Sequence, residues 1–255
     1  MIRFVSLAAC LFCAATAFAQ AVECPGGPPG FTKAEGTGCK LWNWCPLGHE
    51  TVTWSGACVD GYAEGPGVNQ WFHGGKPVER YEGTMRAGKV EGRGTNTASS
   101  GERYDGEWRD GQWHGRGVSI YADGSRYEGE WRNSQANGRG VMMWPDGSRY
   151  AGEWRNHRPN GRGVESYPGG IWYEGEMRDG ERHGHGVMMY PDGAWYKGEW
   201  RNGRANGQGT AHFANGRSYS GTWHDGCARE GEYVAWVDAS EEECTRPQDN
   251  AAGAR

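Results

Sequence analysis

Tyr104-Asp105-Gly106-Glu107-Trp108-Arg109-Asp110-Gly111-Gln112-Trp113-His114-Gly115-Arg116-Gly117-Val118 returns along the chain at a fixed step, and that step decides the fold. Its Tyr-x-Gly opening recurs at Tyr81, Tyr127, Tyr150, Tyr173, Tyr196 and Tyr219, 23 residues apart each time. Four residues after the tyrosine stand Met85, Trp108, Trp131, Trp154, Met177, Trp200 and Trp223. Further on come paired glycines (Gly92/Gly94 through Gly207/Gly209), a frequent Val (Val118, Val141, Val164, Val187) and an aromatic (Tyr121, Trp144, Tyr167, Tyr190, Phe213, Trp236). Upstream, Trp54-Ser55-Gly56 with Gly61, Gly65, Gly67, Val68 and Trp71 fits as an eighth copy, with Cys58 in the Trp position and four extra residues near His73-Gly74-Gly75-Lys76-Pro77. A step of this size marks an array of identical supersecondary units.

The unit reads as a β-hairpin. Side chains alternate along a strand, so Tyr104, Gly106 and Trp108 share one face and Glu107 and Arg109 the other. Arg109-Asp110-Gly111, Arg178-Asp179-Gly180 and Arg201-Asn202-Gly203 are turn signals. The Gly-x-Gly of the return strand leaves room for a facing ring or a bulged backbone, and the Trp or Met of one unit is expected to lie over the glycines of another. Pro145-Asp146-Gly147 and Pro191-Asp192-Gly193 join hairpin to hairpin.

Composition agrees. Glycine supplies 45 of 255 residues, and Leu, Ile, Val and Phe together only 26. Helical bundles and doubly wound folds need many aliphatics at helical spacing, so both are excluded. The 14 Trp and 12 Tyr exclude a disordered chain, which lacks large apolar groups. The expected fold class is all-β: an elongated single-sheet array of stacked β-hairpins, disulfide-capped at both ends. Residues 81–236 balance 20 basic against 21 acidic side chains, which gives no footprint for nucleic acid and no net attraction to anionic lipid.

Residues 1–19 read as a secretory signal: Arg3, an apolar run from Phe4 to Phe18, and the small-x-small site Ala17-Phe18-Ala19. Leu7-Ala8-Ala9-Cys10 looks like a lipidation box, but the apolar stretch before Cys10 is short, so a lipid anchor is disfavoured. Cys24, Cys39, Cys45, Cys58, Cys227 and Cys244 remain, an even number in an exported chain, implying three disulfides. Their grouping pairs Cys227 with Cys244. That pair requires the acidic tail (Asp238, Glu241, Glu242, Glu243) to fold back near the sheet edge. The expected order is signal 1–19, cysteine-containing cap 20–53, eight repeats over 54–236 and acidic tail 237–255.

The quoted stretch resembles the MORN repeat, whose pattern is close to Y-x-G-E-W-x-x-G-x-x-H-G-x-G. The resemblance implies an elongated, twisted array of hairpins. The start, Gly38-Cys39-Lys40-Leu41-Trp42 and Val52-Thr53-Trp54-Ser55-Gly56-Ala57-Cys58, resembles the leader of exported bacterial proteins of this class, which implies Cys39–Cys58 and leaves Cys24–Cys45. Larger proteins carrying this repeat attach a kinase or methyltransferase domain; 20–53 and 237–255 are too short for either.

No nucleophile elbow, metalloprotease helix or phosphate loop occurs, and the carboxylates recur with the repeat, as structural residues do. No enzymatic activity, cofactor or metal is expected; His183-Gly184-His185 falls where His is the repeat's usual residue. The Glu and Arg ladders (Glu107, Glu130, Glu153; Arg109, Arg132, Arg155) read as a solvated, charge-neutral face. A second row, Arg93, Arg116, Arg139 and Arg162, could meet carboxylate or phosphate, and the family's lipid association adds to that idea. Trp172 and Trp195 could stack on sugar rings. These six residues are the candidate partner surface. The expected function is a non-catalytic exported scaffold for a protein partner, in periplasm or medium. The alternative is an envelope glycan or lipid binder, and a homo-oligomer is compatible with either.

Overall fold

A computed structural model describes residues 24–25, 27–230 and 233–245; the expected signal segment lies outside the described residues. They form two compact units, one running to Pro145 and including Trp154–His157, the other made of Asp146–Glu153 and the chain from Arg158 onward. The first holds β1 (Gly30–Lys33), β2 (Lys40–Asn43), β3 (Glu50–Trp54), β4 (Ala57–Val59), β5 (Tyr62–His73), β6 (Lys76–Arg86), β7 (Lys89–Ala98), β8 (Arg103–Arg109), β9 (Gln112–Ile120), β10 (Arg126–Arg132) and β11 (Gln135–Met143). After β12 (Arg149–Arg155), the second holds β13 (Arg158–Ser166), β14 (Trp172–Arg178), β15 (Glu181–Met189), β16 (Trp195–Arg201), β17 (Arg204–His212), β18 (Ser218–Trp223), β19 (Cys227–Glu230), β20 (Tyr233–Trp236) and the short helix α1 (Glu241–Thr245). Antiparallel neighbours follow chain order from β5 to β11 and from β13 to β18; β19 and β20 make a separate two-stranded ladder. The expected all-β class of stacked hairpins, with disulfides near both ends, is what the units show. The four extra residues of the first copy make no loop: they lengthen β5 and β6 to 12 and 11 residues around a Gly74–Gly75 turn.

The turns explain the hairpins. Asp110 and Gly111 hold φ of 51° and 79°, the pair of left-handed residues that a two-residue hairpin turn requires. The second turn residue also docks on the preceding hairpin: the N–H of Gly111 donates to Val90 O at 2.8 Å, and that of Gly203 to Arg182 O at 3.0 Å.

A β-bulge in the hairpins β6–β7, β8–β9, β10–β11, β14–β15 and β16–β17 explains most of the remaining consensus. In β8–β9 the register slips between Gly106 and Glu107, as it does between Gly129 and Trp131 and between Gly175 and Glu176. A bulge disrupts ladder pairing, and unpaired backbone groups need other partners. The tyrosine hydroxyl donates to the bulge carbonyl: Tyr104 to Glu107 O at 2.9 Å, Tyr127 to Glu130 O at 3.1 Å, Tyr173 to Glu176 O at 2.9 Å. The glutamate carboxylate accepts the opposing N–H: Glu107 from Arg116 at 3.0 Å, Glu130 from Arg139 at 3.0 Å, Glu199 from Gln208 at 3.1 Å. The two glycines between them are required for different reasons. Gly138 has φ +85° and lies against the Glu130 side chain, whereas a Cβ on Gly140 would enter the Tyr127 ring.

The ring over the glycine pair therefore belongs to the hairpin's own residue at the start of the repeat, a tyrosine from Tyr81 to Tyr196 and Trp54 in the first copy, not to the Trp of another unit as expected. The tryptophan reaches the neighbouring hairpin through its indole N–H instead: Trp108 donates to Gly94 O at 3.0 Å, Trp131 to Gly117 O at 3.2 Å, Trp223 to Gly209 O at 3.1 Å. In the first copy Trp54 takes the same place over Gly67 and donates its indole N–H to Ala57 O at 2.8 Å, as the tyrosines donate their hydroxyls three residues on. Tyr and Trp then interleave edge to face. Tyr104 stands 5.1 Å from Trp108 and 5.6 Å from Trp131; Tyr196 stands 5.2 Å from Trp200 and 5.1 Å from Trp223. Such pairs each add about 0.5–1.5 kcal/mol beyond area burial. This aromatic row is the core, while Arg103, Asp105, Glu107 and Arg109 alternate outward in β8.

The disulfides are Cys24–Cys45, Cys39–Cys58 and Cys227–Cys244. The tail does fold back, with Val237 N–H donating to Gly226 O at 2.8 Å. Its acids are not idle edge charges: Asp238 and Glu243 pair with Arg182 and Arg204, because those cations lie on the surface that the tail crosses.

Candidate functional site

The six candidate surface residues are divided between the two units. Arg93, Arg116 and Arg139 are exposed on the outward face of the first unit, and Arg162 on that of the second. Three of them stand at the residue opposite a bulge glutamate of the next hairpin: Arg93 faces Glu107, Arg116 faces Glu130, Arg162 faces Glu176. The glutamates are thus anchored in their own hairpins while the guanidiniums remain accessible.

Trp172 and Trp195 are half-buried on the outward face of the second unit, with Met189 in register between them. Trp195 continues onto His212, rings stacked at 6.0 Å and 21°. Trp172, Met189, Trp195 and His212 form an apolar row across four neighbouring strands. Beside it lies an open trough of about 1090 Å³ bounded by Arg162, Glu174, Glu176, His185, Trp195 and Lys197 and floored by Gly163, Gly175, Gly186 and Gly198. The structure brings Arg162 and Trp195 together here, with Trp172 in the adjoining row. A flat floor, one aromatic edge and charges of both signs suit an extended polar ligand. Among the described residues no three His, Cys, Asp or Glu side chains converge as ion ligands, and no helix is long and apolar enough to cross a membrane.

A second cluster escapes the sequence reading. Arg182 points to the aromatic side of the second unit with its side chain 16% exposed. It pairs with Glu165 at 3.0 Å and Asp238 at 2.5 Å, donates to the Tyr167 hydroxyl at 3.3 Å, and lies 5.4 Å from the Tyr173 ring centre and 5.5 Å from that of Trp200. Burial pulls the guanidinium pKa down, but the Glu165 and Asp238 charges outweigh it and leave it raised. Tyr190 donates to Asp238 at 2.6 Å; burial, then the carboxylate, push its phenol pKa up. The cluster clamps the tail onto this face. Its signal was a break in the repeat: Arg182 stands where other copies have Ala63, Val90, Ala136 and Ala205, and Glu165 where they have Asn69, Ser119, Met188 and Ala211.

The MORN repeat matches residues 81–103, 104–126, 127–149, 150–171, 173–195 and 196–216. No curated protein matches the chain. Among solved structures, the chain is similar to the SAS-4 (dCPAP) TCP domain of Drosophila melanogaster, in complex with a proline-rich motif of Ana2 (dSTIL), at 13% identity and TM-score 0.36, over 61% of this chain and 84% of that one. It is also similar to the wild-type TCP10 domain of Danio rerio CPAP, at 12% identity and TM-score 0.23, over 76% and 94%.

Proposed function

The chain belongs to the MORN repeat family, and we propose that it works as an exported, non-catalytic binding scaffold that takes a protein partner along the outward face of its second unit. The observation that carries this reading is the trough in which Arg162 and Trp195 meet beside the Trp172–Met189–Trp195–His212 row. It offers apolar contact and fixed charges above a glycine floor to an extended chain, the mixture that protein interfaces use. The acids and bases along it recur with the repeat, and Glu176 is held by the His185 N–H of the bulge at 3.2 Å, which supports binding rather than catalysis. Export is supported by the sequence of residues 1–19 and by the pairing of all six remaining cysteines.

A photocrosslinking amino acid at position 195, in cells producing the full chain, tests the reading. One discrete protein adduct is expected, lost when Arg162→Glu is added, with the chain recovered outside the cytoplasm. Crosslinks to glycan or lipid alone would favour the second reading, an envelope glycan or lipid binder, which the half-exposed Trp195 ring beside Arg162 supports. Adducts between two copies of this chain would assign the trough to self-association.

A further inference from the structure

In the first unit the segment after β2 lies over the aromatic face and encloses a cavity of about 110 Å³. Trp42, Trp44, Trp71, Tyr81 and Trp108 wall it; Asn69, Asn96, Glu79 and Glu50 bring polar atoms to it. The covering segment is fixed by the Cys24–Cys45 bond and by Trp42 N–H donating to Gly88 O at 2.8 Å, so the space is preformed rather than a gap under a loose loop. Trp44, 43% exposed, forms the rim.

The polar atoms are unusual. Asn69 and Asn96 are 3% and 8% exposed, flank Tyr81 on adjacent strands, and each leaves its amide oxygen without a hydrogen-bond partner. Asn96 Nδ2 donates to Glu79 Oε1 at 2.7 Å, which fixes the amide with its oxygen left over. Burial, opposed by the Asn96 bond and reinforced by the Glu50 and Glu102 charges, raises the Glu79 pKa: the carboxylate lacks a cation. Among the described residues lining this cavity, Trp42 Nε1 is the buried donor left without a partner. A ligand that fits must therefore donate hydrogen bonds, carry positive charge and present apolar surface to rings. A sugar needs donors and acceptors in comparable number, a neutral alkyl group would leave the buried acceptors unmet, and a quaternary ammonium has no N–H.

We propose that this cavity binds a primary ammonium group on a short alkyl stem, its N–H groups donating to Glu79 and the open amide oxygens and its methylenes lying against the tryptophans. The cavity is somewhat smaller than the roughly 150 Å³ that admits benzene, the scale of an aminoalkyl end, and its half-open rim lets the stem continue outward. A free alkylamine and a lysine side chain share this chemistry.

The test is titration of the full mature chain, followed by tryptophan fluorescence and calorimetry. Saturable binding is expected for n-butylammonium chloride, at least about tenfold tighter than for n-butanol, tetramethylammonium or methyl β-glucoside, the loss of one charge-assisted bond. Nα-acetyl-lysine methylamide binding at least as tightly identifies a lysine side chain; binding only of the free amine identifies a soluble alkylamine. Glu79→Gln and Trp44→Ala should each weaken binding about tenfold or more, with a Glu79→Gln melting point no lower than wild type, and exposed Arg132→Ala should leave binding unchanged. Equal affinity for n-butanol or the glucoside, full binding by Glu79→Gln, or no saturation would overturn the assignment. None of these results bears on crosslinking at position 195, so the two readings fail separately.

Discussion

Gly140 and Gly138 stand two residues apart, and alanine at each should fail for a different reason. A Cβ on Gly140 would come within 3 Å of Tyr127 ring atoms, and Tyr127 is fully buried. That ring cannot step aside without losing its 3.1 Å bond to Glu130 O and its edge contacts to Trp131 and Trp154 at 4.9 and 5.2 Å. Overpacking costs about 1–3 kcal/mol and the displaced hydrogen bond about 1 kcal/mol, so Gly140→Ala should cost about 2–4 kcal/mol. With Tyr127→Ala already present the obstacle is gone, and Gly140→Ala should be neutral or stabilising by about 0.5 kcal/mol through the unfolded chain. The coupling between the two sites is then about 2–4 kcal/mol. Gly138, at φ +85° against a flexible carboxylate, should cost about 1–2 kcal/mol as alanine in either background. Urea denaturation followed by tryptophan fluorescence, with the m-value checked for constancy, measures wild type and all five variants. If Gly140→Ala costs the same with and without the Tyr127 ring, or if removing the ring rescues Gly138→Ala instead, the division of labour between the two glycines is wrong.

Arg182→Ala should cost about 2–3 kcal/mol, below the figure for a fully buried pair because the cluster keeps some solvent contact; adding Glu165→Ala should restore part of it, read in the same melts. Replacing both Cys227 and Cys244 by serine should destabilise the second unit by about 2–4 kcal/mol and speed hydrogen exchange at Asp238 and Tyr190, where mass spectrometry should show the tail released. Glu79, whose pKa lies above its ordinary 4.5 because burial holds its proton, contributes stability below that value and loses it as pH rises through the raised one. Wild type should therefore fall in melting temperature across that window relative to Glu79→Gln, whose profile should be flatter and higher at neutral pH. Exposed Arg132→Ala should change stability by no more than about 0.5 kcal/mol in the same assay.

The structure assigns the Glu and Arg ladders differently from one another. Both read as a solvated face, and the exposure of Arg109 and Arg132 agrees with that reading. The glutamates do more. Glu107 and Glu130 each take a backbone N–H of the bulge, which no periodicity reveals, because the bulge shifts register, from Gly106 opposite Gly117 to Glu107 opposite His114, only after two strands have met. The ring over the glycines escapes the periodicity for the same reason: strand alternation places Tyr and Trp on one face but does not fix which of two adjacent rings reaches a carbonyl freed by the bulge.

Periodicity alone determined the all-β class, the hairpin unit, the Asp-Gly turns and the face that Tyr127 and Trp131 bury, because each rests on local geometry repeated every 23 residues. Cysteine grouping alone determined Cys227–Cys244. Tertiary structure decided what happens where the repeat is broken. Arg182 meets Asp238 across 56 residues, and Glu79 meets Asn96 across 17. Their side chains serve no repeating bond, so what each one touches depends on which distant segment the chain lays over the aromatic face: the tail in the second unit, the disulfide-held segment after β2 in the first.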